Sequence, residues 1–430
     1  MPLETPLHGA LWLGAALLSL LLTACGGGGG SSGSSSATAQ STGTMTATAL
    51  LGQKIFNDTS LSLNGNQACA SCHVASRGHA GPFQFVGPNS DIPTEPGSDA
   101  SKFGGRMSPS IRYLSFNKSF GFKDDKGGEA TPATGTPTGG FFWDGRATTL
   151  ADQGKRPFTN PIEMANADVA DVVSKLAAAS YANDIKALYG QDIFSQDPDT
   201  VFERVALALQ AFEKESPEFK TFSSKYDAFL RGQTSLSASE LRGFALFNSS
   251  VKGNCAACHP SKISSDGTFP LFTDFSFDSL GVPRNWKVAG SHGDKGLCAN
   301  GTDLINSLTD AEREPLCGKF KVPSLRNVGL RKAFFHNGRF TSLTDVVTFY
   351  VQRDIFPERF YLDAHGQPDI KFNDMVDDPE HMANVNTTEV PYNRHPGQDP
   401  ALNADEITDV VNFLCTLTDG WTGSDLACNR

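Results

Sequence analysis

Apolar residues recur along this chain with the period of an amphipathic α-helix. Spacings of three and four residues place such side chains on one helical face. The clearest sets are Val169, Val172, Val173 and Leu176; Val205, Leu209 and Phe212; and Ile407, Val410, Val411 and Leu414. Strand-type alternation is scarce, and glycine- and proline-rich stretches at 78–105, 123–140 and 363–400 predict long loops. The pattern predicts a mostly α fold with little β-structure.

Two further apolar segments form an internal repeat. Residues 51–57 read LGQKIFN and residues 242–248 read RGFALFN, and each runs through a short loop into a Cys-x-x-Cys-His motif. Ser237 and Glu240 form a capping box that predicts the start of the second of these helices. The repeat predicts two similar domains packed together, 47–235 and 236–430.

The two motifs are Cys69-Ala-Ser-Cys72-His73 and Cys255-Ala-Ala-Cys258-His259. Two thiols at this spacing can bond to the two vinyl groups of one haem, and the next histidine then reaches the iron. A bare Cys-x-x-Cys could instead be a redox pair or half of a zinc site. Two copies with histidine in the same place favour two covalently bound c-type haems, with His73 and His259 as the iron ligands.

The remaining cysteines fit an oxidising compartment. The chain holds nine cysteines, of which the two motifs use four. Cys298, Cys317, Cys415 and Cys428 form an even set that suits two disulfides. Among the three possible connectivities we favour nearest neighbours, Cys298 with Cys317 and Cys415 with Cys428. Ordinary buried thiols are the alternative.

The N-terminal segment resembles a bacterial lipoprotein signal. An apolar run from Leu11 to Leu22 precedes Leu22-Thr23-Ala24-Cys25, although no basic residue precedes the run. We interpret residues 1–25 as the signal and the Gly/Ser-rich residues 26–46 as a flexible tether. The expected location is the periplasm, with a lipid on Cys25 as the link to the membrane. A misread signal would leave a periplasmic protein without the anchor.

The acidic charge bears on partners. The formal net charge of −11 argues against nucleic acid and suits a redox partner with a basic face.

The segment between the motifs suggests more than electron transfer. It reads FFWDGRA at 141–147, followed by Gln153 and by PIEM at 161–164. The second half contains VPSLRN at 322–327, FFHNG at 334–338 and TDVVTFY at 344–350. With these motifs, residues 47–420 resemble the bacterial dihaem cytochrome c peroxidase and MauG family.

The resemblance implies catalytic roles for Glu163, Gln153 and Trp143. Glu163 would move a proton between the peroxide oxygens over the first haem, with Gln153 as its hydrogen-bonding neighbour. A surface carboxylate at a helix start is the alternative for Glu163. Trp143 would relay electrons between the haems, and core packing is its alternative role.

The resemblance also concerns the iron ligands. Classical peroxidases of the family place methionine on the second haem, whereas the matching residue here is Tyr350, as in MauG-like members. Ser342 and Asp345 resemble a capping box, and Val346 shares a helical face with Tyr350, so the phenol should point inward. A phenolate would stabilise the oxidised iron. An aromatic core residue is the alternative.

In classical peroxidases of the family, a loop histidine ligates the first haem. The matching position in this chain falls near Asp99, which is not a histidine. We interpret His79, in the same loop, as a solvated residue, so the first iron should be open at rest. His336 lies near the second haem in the family, where a hydrogen-bonding role is expected.

Two other features of the family are altered or ambiguous. Met107 and Arg331 occupy the positions that correspond to its calcium site, which argues against calcium. Arg106 and Arg146 could bind haem propionates or form ordinary ion pairs.

Three functions follow from these features. The first is reduction of hydrogen peroxide, with electrons from a small c-type cytochrome or cupredoxin passing from the C-terminal to the N-terminal haem. The second is MauG-like, peroxide-driven oxidation of a partner protein. The third is electron transfer without catalysis. We favour the peroxidase, with the MauG-like activity as the alternative.

Overall fold

A computed structural model describes residues 44–82 and 92–430 of the chain. The predicted signal, Cys25 and all but the last residues of the predicted tether lie outside these ranges. The α-helices are α1 (Ala47–Phe56), α2 (Cys69–Cys72), α3 (Leu150–Thr159), α4 (Val169–Ala178), α5 (Ala182–Tyr189), α6 (Pro198–Glu215), α7 (Lys225–Leu230), α8 (Ala238–Asn248), α9 (Asp303–Asn306), α10 (Asp310–Arg313), α11 (Leu343–Gln352) and α12 (Ala404–Cys415). Short 3-10 turns, such as Cys255–Ala257, lie between them.

The β-structure consists of two small antiparallel pairs within the described residues. Strands β1 (Gly121–Lys123) and β2 (Thr136–Thr138) pair with Gly121 opposite Thr138. Strands β3 (Phe277–Asp278) and β4 (Phe320–Lys321) pair with Phe277 opposite Lys321. The predicted fold class, mostly α with long loops, is confirmed.

Side-chain caps fix where the main helices begin. The predicted capping box of α8 is present, with Ser237 and Glu240 each bonded to the other's backbone. Helix α4 starts at Asp168, whose carboxylate accepts a hydrogen bond from the Asp171 N–H. The predicted apolar faces of α4, α6 and α12 are the buried ones, with Val169 only partly buried.

The described residues form one compact unit with two large apolar clusters. One contains side chains between Leu51 and Phe219, and the other contains side chains between Tyr226 and Leu417. The clusters follow the predicted division into two halves. The boundary near residue 235 stays a prediction, although Tyr226 already packs in the second cluster.

Each half is built on a pair of helices that cross at a glycine. In the first half, a Cβ on Gly52 of α1 would lie 2.0 Å from the Ala208 carbonyl oxygen of α6. In the second half, a Cβ on Gly243 of α8 would lie 1.9 Å from the Asp409 carbonyl oxygen of α12. Only a residue without a side chain permits backbones to approach this closely. The repeat detected in the sequence is therefore a repeated helix crossing.

Two disulfides lie in the C-terminal half. Cys298 bonds to Cys317 and Cys415 bonds to Cys428, so the predicted nearest-neighbour pairing is confirmed. Within the described residues, no helix has the length and apolarity needed to cross a bilayer.

The crossing predicts that Gly243→Ala destabilises the protein, since its Cβ would overlap a backbone carbonyl that cannot move aside. Overpacking of this kind costs about 1–3 kcal/mol or more. Urea unfolding followed by circular dichroism measures this loss.

Gly154→Ala in α3 is the matched control, because its Cβ would make ordinary contacts, 3.5 Å from Leu209 Cδ1. In the helix interior that change should be neutral or stabilising by up to about 1 kcal/mol. Equal losses in the two variants would contradict the role given to the crossing.

Candidate functional site

A cavity in the first half collects most of the predicted catalytic residues. Its lining includes Cys69, Cys72, His73, Gln153 and Glu163. The first motif reaches it from the one-turn helix α2, and Gln153 reaches it from α3. Glu163 comes from the loop that follows α3. The structure therefore brings these five predicted residues to one site.

A second, larger cavity contains the other motif. Its lining includes Cys255, Cys258, His259, Tyr350 and Trp143. Tyr350 lies near the end of α11, whose first turn is capped by Ser342, with Asp345 N–H as the donor. The phenol points into the cavity, as the helical pattern predicts.

Both motif histidines are oriented by a hydrogen bond to a backbone carbonyl. His73 Nδ1 donates to the His79 carbonyl oxygen at 3.2 Å, and His259 Nδ1 donates to the Phe272 carbonyl oxygen at 2.8 Å. A carbonyl only accepts, so the proton must be on Nδ1, and Nε2 keeps its lone pair. Burial lowers the pKa of His73 to about 4 and also lowers the pKa of His259. Both rings are therefore neutral and suited to bind iron through Nε2.

The four motif thiols are free of disulfides and lie in apolar surroundings. Burial raises the pKa of Cys69, Cys255 and Cys258 to about 12. Neutral thiols of this kind do not suit a zinc or redox site, which needs thiolate. Paired thiols and an oriented imidazole in an apolar cavity fit a haem c in each half.

Glu163 is largely enclosed and held by one neighbour. Asn160 Nδ2 donates to its Oε2 at 2.9 Å. Burial raises the pKa of this carboxyl, while the bond from Asn160 and the charge of Arg146 oppose the rise. Gln153 is buried in the same cavity. The pair can hold and move a proton there.

Sequence reasoning missed two further carboxyls in the first cavity, Glu95 and Glu213. Glu95 Oε2 accepts from the Ser108 hydroxyl at 3.0 Å, whereas its Oε1 is buried without a partner. Burial raises the pKa of Glu95 to about 7. The sequence contains one sign of such a carboxyl, because the acidic Glu213 directly follows Phe212 on the apolar face of α6.

A second phenol was also missed. Tyr392 lines the second cavity with its ring centroid 5.9 Å from that of Tyr350. The Arg353 guanidinium lies 4.3 Å from the Tyr392 ring centroid. Burial raises the pKa of both phenols, so both are protonated unless they bind a metal.

Trp143 lies against a segment shared by the two cavities. Its Nε1–H donates to the Met107 carbonyl oxygen at 2.7 Å. Arg106 lines the first cavity, Met107 lines the second, and Ser108 lines both. The indole therefore contacts Met107, whose two chain neighbours line the first haem cavity.

The prediction that His79 is a solvated loop residue is wrong. His79 is 2% exposed, accepts a hydrogen bond from Arg112 Nε on Nδ1 and pairs with Glu218. Its ring packs on Phe219, and its carbonyl orients His73. Local composition suggested a loop, but tertiary packing buries the ring. Asp99 instead lies near the surface, where its carboxylate caps Ser101.

Arg106 and Arg146 form ion pairs rather than leaving a free guanidinium. Arg106 bonds to Asp294 and Asp144, with N–O distances of 2.6–2.7 Å. Arg146 bonds to Asp144 at 3.0 Å and lies over the Phe142 ring. Of the two alternatives, the structure therefore favours the ion pairs.

Arg331 is buried in the second cavity. It donates to the carbonyl oxygens of Ser324 and Arg326, while its Nε has no partner among the described residues. A buried guanidinium repels a divalent cation, so these surroundings do not fit calcium and suit an anionic group such as a haem propionate. His336 stacks on Phe320, and its Nε2 is also unpartnered within the described part of the chain, so its hydrogen-bonding role stays a prediction.

Comparison with known proteins agrees with this site. Residues 46–235 match the family described as di-haem cytochrome c peroxidase. The methylamine utilization protein MauG of Paracoccus denitrificans is 33% identical over 311 residues, which cover 71% of this chain and 74% of that protein. The cytochrome c551 peroxidase of Nitrosomonas europaea is 28% identical and covers 70% of this chain and 71% of its own.

A solved structure resembles the whole described body. The diheme peroxidase BthA of Burkholderia thailandensis superposes with a TM-score of 0.77 at 33% identity, covering 89% of this chain and 90% of its own. A relative at this identity and coverage, together with the matching motifs and cavities, establishes the family and with it the two haem c cofactors. The chain belongs to the dihaem cytochrome c peroxidase and MauG family, and it is a peroxidase-type oxidoreductase.

Proposed function

We propose that this protein reduces hydrogen peroxide to water at its first haem, with electrons that enter at the second haem. The observation that carries the proposal is the difference between the two cavities. The first presents Glu163 and Gln153 and no second histidine among the described residues, whereas the second presents Tyr350 together with the motif.

The two haems, when covalently attached to the motif cysteines, supply iron for peroxide and a store for electrons. His73 and His259 would hold the irons through Nε2, because Nδ1 of each is occupied by a carbonyl. Arg331 Nε is suited to a propionate of the second haem. The apolar linings exclude water around both groups.

Glu163 would act as the proton carrier of the reaction. Its ionised carboxylate can take the proton of bound peroxide and return it to the departing oxygen, a role that typically contributes about 10²- to 10⁴-fold. Asn160 fixes one carboxylate oxygen, so the other can face the peroxide. Gln153 can donate a hydrogen bond beside it.

Trp143 would serve the electron path between the haems. Its indole hydrogen-bonds to Met107, whose chain neighbours line the first cavity. The extended π-system of tryptophan also packs the space between the cavities. Both roles are compatible with its position.

The setting proposed for this chemistry is the periplasm. Attachment of haem c and the Cys298–Cys317 and Cys415–Cys428 disulfides both belong to an exported protein. A lipid on Cys25 would tether the protein to the membrane. The net charge of −11 suits an electron donor with a basic face, either a small c-type cytochrome or a cupredoxin.

MauG-like oxidation of a partner protein is the second candidate. It is favoured by Tyr350 in the second cavity and by Asp99, which is not a histidine and does not line the first cavity. MauG of Paracoccus denitrificans is also among the relatives. Electron transfer without catalysis is disfavoured, since a simple carrier has no use for a buried carboxyl in the cavity.

Glu163→Gln should lower the rate of peroxide consumption by about 10²- to 10⁴-fold while both haem spectra stay unchanged. The wild-type rate should rise with pH through the raised pKa of Glu163, because the base form accepts the proton, and the variant should lack this limb. Stopped-flow kinetics across pH measures both effects.

Glu129→Gln is the control for that experiment, since its side chain is 81% exposed and distant from the cavity lining. A Glu163→Gln rate equal to that of Glu129→Gln would remove Glu163 from the mechanism.

The untreated ferric protein should react with hydrogen peroxide without prior reduction, because His73 is the only histidine that lines the first cavity within the described residues. Absorption and electron paramagnetic resonance spectra before and after addition of peroxide measure this. Two protein ligands on each iron, one on either side of the haem, would instead assign the protein to electron transfer.

Tyr350→Met should raise the reduction potential of the second haem, since a neutral thioether stabilises oxidised iron less than a phenolate does. A rise on the order of 0.1 V is expected within the roughly 0.8 V range that axial ligands span. Spectroelectrochemical titration measures it.

Tyr392→Phe is the matched control for this variant, because Tyr392 is the other phenol of the second cavity. The potential should be unchanged in Tyr392→Phe. A shift in Tyr392→Phe but not in Tyr350→Met would make Tyr392 the ligand.

A further inference from the structure

The two halves of the protein carry chemically different residues at one equivalent position. The glycine crossings give the alignment, because each glycine approaches a carbonyl oxygen and a phenylalanine Cβ of the facing helix. For Gly52 these atoms belong to Ala208 and Phe212, and for Gly243 they belong to Asp409 and Phe413. The residue after each phenylalanine is Glu213 in α6 and Leu414 in α12.

Both residues point into a haem cavity. Glu213 lines the first cavity beside Leu209, and Leu414 lines the second beside Val410, the residue equivalent to Leu209. Glu213 is 6% exposed and Leu414 is 5% exposed. The position that Leu414 occupies in the second half is therefore occupied by the carboxyl of Glu213 in the first half.

Glu213 has no hydrogen-bond partner within the described residues. Its Oε2 is fully enclosed and unpartnered. Burial raises the pKa of the carboxyl to about 8. Glu213 lies close enough to Cys69 for its charge to raise the pKa of that thiol.

No free cation faces Glu213 from the described elements packed against it. The other titratable groups of the cavity are Cys69, Cys72, His73, Glu95, Glu163 and Arg106. Charged side chains of α1, α3 and α4 are paired as Lys54–Asp184, Lys155–Glu203, Arg156–Asp152 and Lys175–Asp171. Arg106 is taken up by Asp144 and Asp294. We therefore expect the charge of the haem to determine the protonation state of Glu213.

We propose that Glu213 takes up a proton when the first haem is reduced and releases it when that haem is oxidised. A ferric haem core has one more positive charge than a ferrous core, and that charge favours the ionised carboxylate. Reduction removes this attraction, and a buried carboxylate without a cation then binds a proton. One electron from the donor enters the iron, one proton from solvent enters Glu213, and the local charge is conserved.

Glu213 would thus balance the charge of the first haem by gaining or losing a proton, and it would not contact peroxide. Glu213 couples the first haem to pH, whereas its counterpart at the second haem, Leu414, cannot titrate. The resulting asymmetry favours the oxidised states of the first haem as pH rises.

The test is a mediated spectroelectrochemical titration of the holoprotein at pH values on both sides of 8, without peroxide. One proton per electron changes the reduction equilibrium tenfold per pH unit, which is 59 mV for a one-electron couple. We expect a slope approaching this for the first haem, and its loss in Glu213→Gln. The second haem should be unaffected by the substitution and provides an internal reference.

Asp199→Asn on the same helix is the matched control, since Asp199 is exposed in the first turn of α6, and it should keep the wild-type slope. Glu213→Leu copies the residue of the other half and replaces Glu213→Gln if that variant folds poorly, as judged by circular dichroism. A slope that persists without Glu213 would overturn the proposal and assign the proton to Glu95, Glu163 or a propionate. A flat wild-type profile would also overturn it, since no proton would then accompany the electron.

The inference rests on the bound haems of the family and not on peroxide reduction. Its failure would leave the peroxide kinetics of Glu163→Gln untouched, and a failed peroxide assay would leave the potentiometric slope intact.

Discussion

The hydrogen bond from a histidine Nδ1–H to a backbone carbonyl is the interaction on which both sites depend. It leaves Nε2 of His73 and of His259 as the only nitrogen able to bind iron, and it fixes the ring plane. The acceptors are His79 and Phe272, which tertiary packing buries. Iron ligation by a five-residue motif is thus controlled by residues that the motif does not contain.

Repetition of one scaffold makes the differences between the halves meaningful. Both halves use a helix pair that crosses at a glycine, so their cavities have equivalent walls. On these walls the first half carries Glu213 and the second half carries Leu414, while Tyr350 and Tyr392 are confined to the second cavity. Equal scaffolds with unequal linings give two haem environments of different polarity, which supports the proposed division between oxidant binding and electron storage.

Much of this could be predicted from the sequence because the relevant signals are local. The helical periods, the capping box at Ser237 and the paired motifs each depend on residues close in the chain. Glu163, Gln153 and Tyr350 could be placed through their fixed distances from recognisable segments. The burial of His79 could not, since it depends on Arg112, Glu218 and Phe219, which are distant in sequence. Glu95, Glu213 and Tyr392 were missed for the same reason, because only the folded chain shows which walls enclose a cavity.

The unpartnered polar atoms show what the cavities are built to contain. Glu95, Glu213, Arg331 and His336 each bury a polar atom without a partner in the described part of the chain. An unsatisfied buried group costs about 1–3 kcal/mol, more if charged, so several of them would be expensive in a protein that never filled these spaces. Two are carboxyls at the first haem and one is a guanidinium at the second. Bound haem would therefore meet acidic surroundings in one half and a cation in the other. We infer that these carboxyls, when ionised, would favour oxidised iron at the first site and that the guanidinium would favour the propionates of the second, so the polar groups that cost folding energy would also contribute to the difference between the two haems.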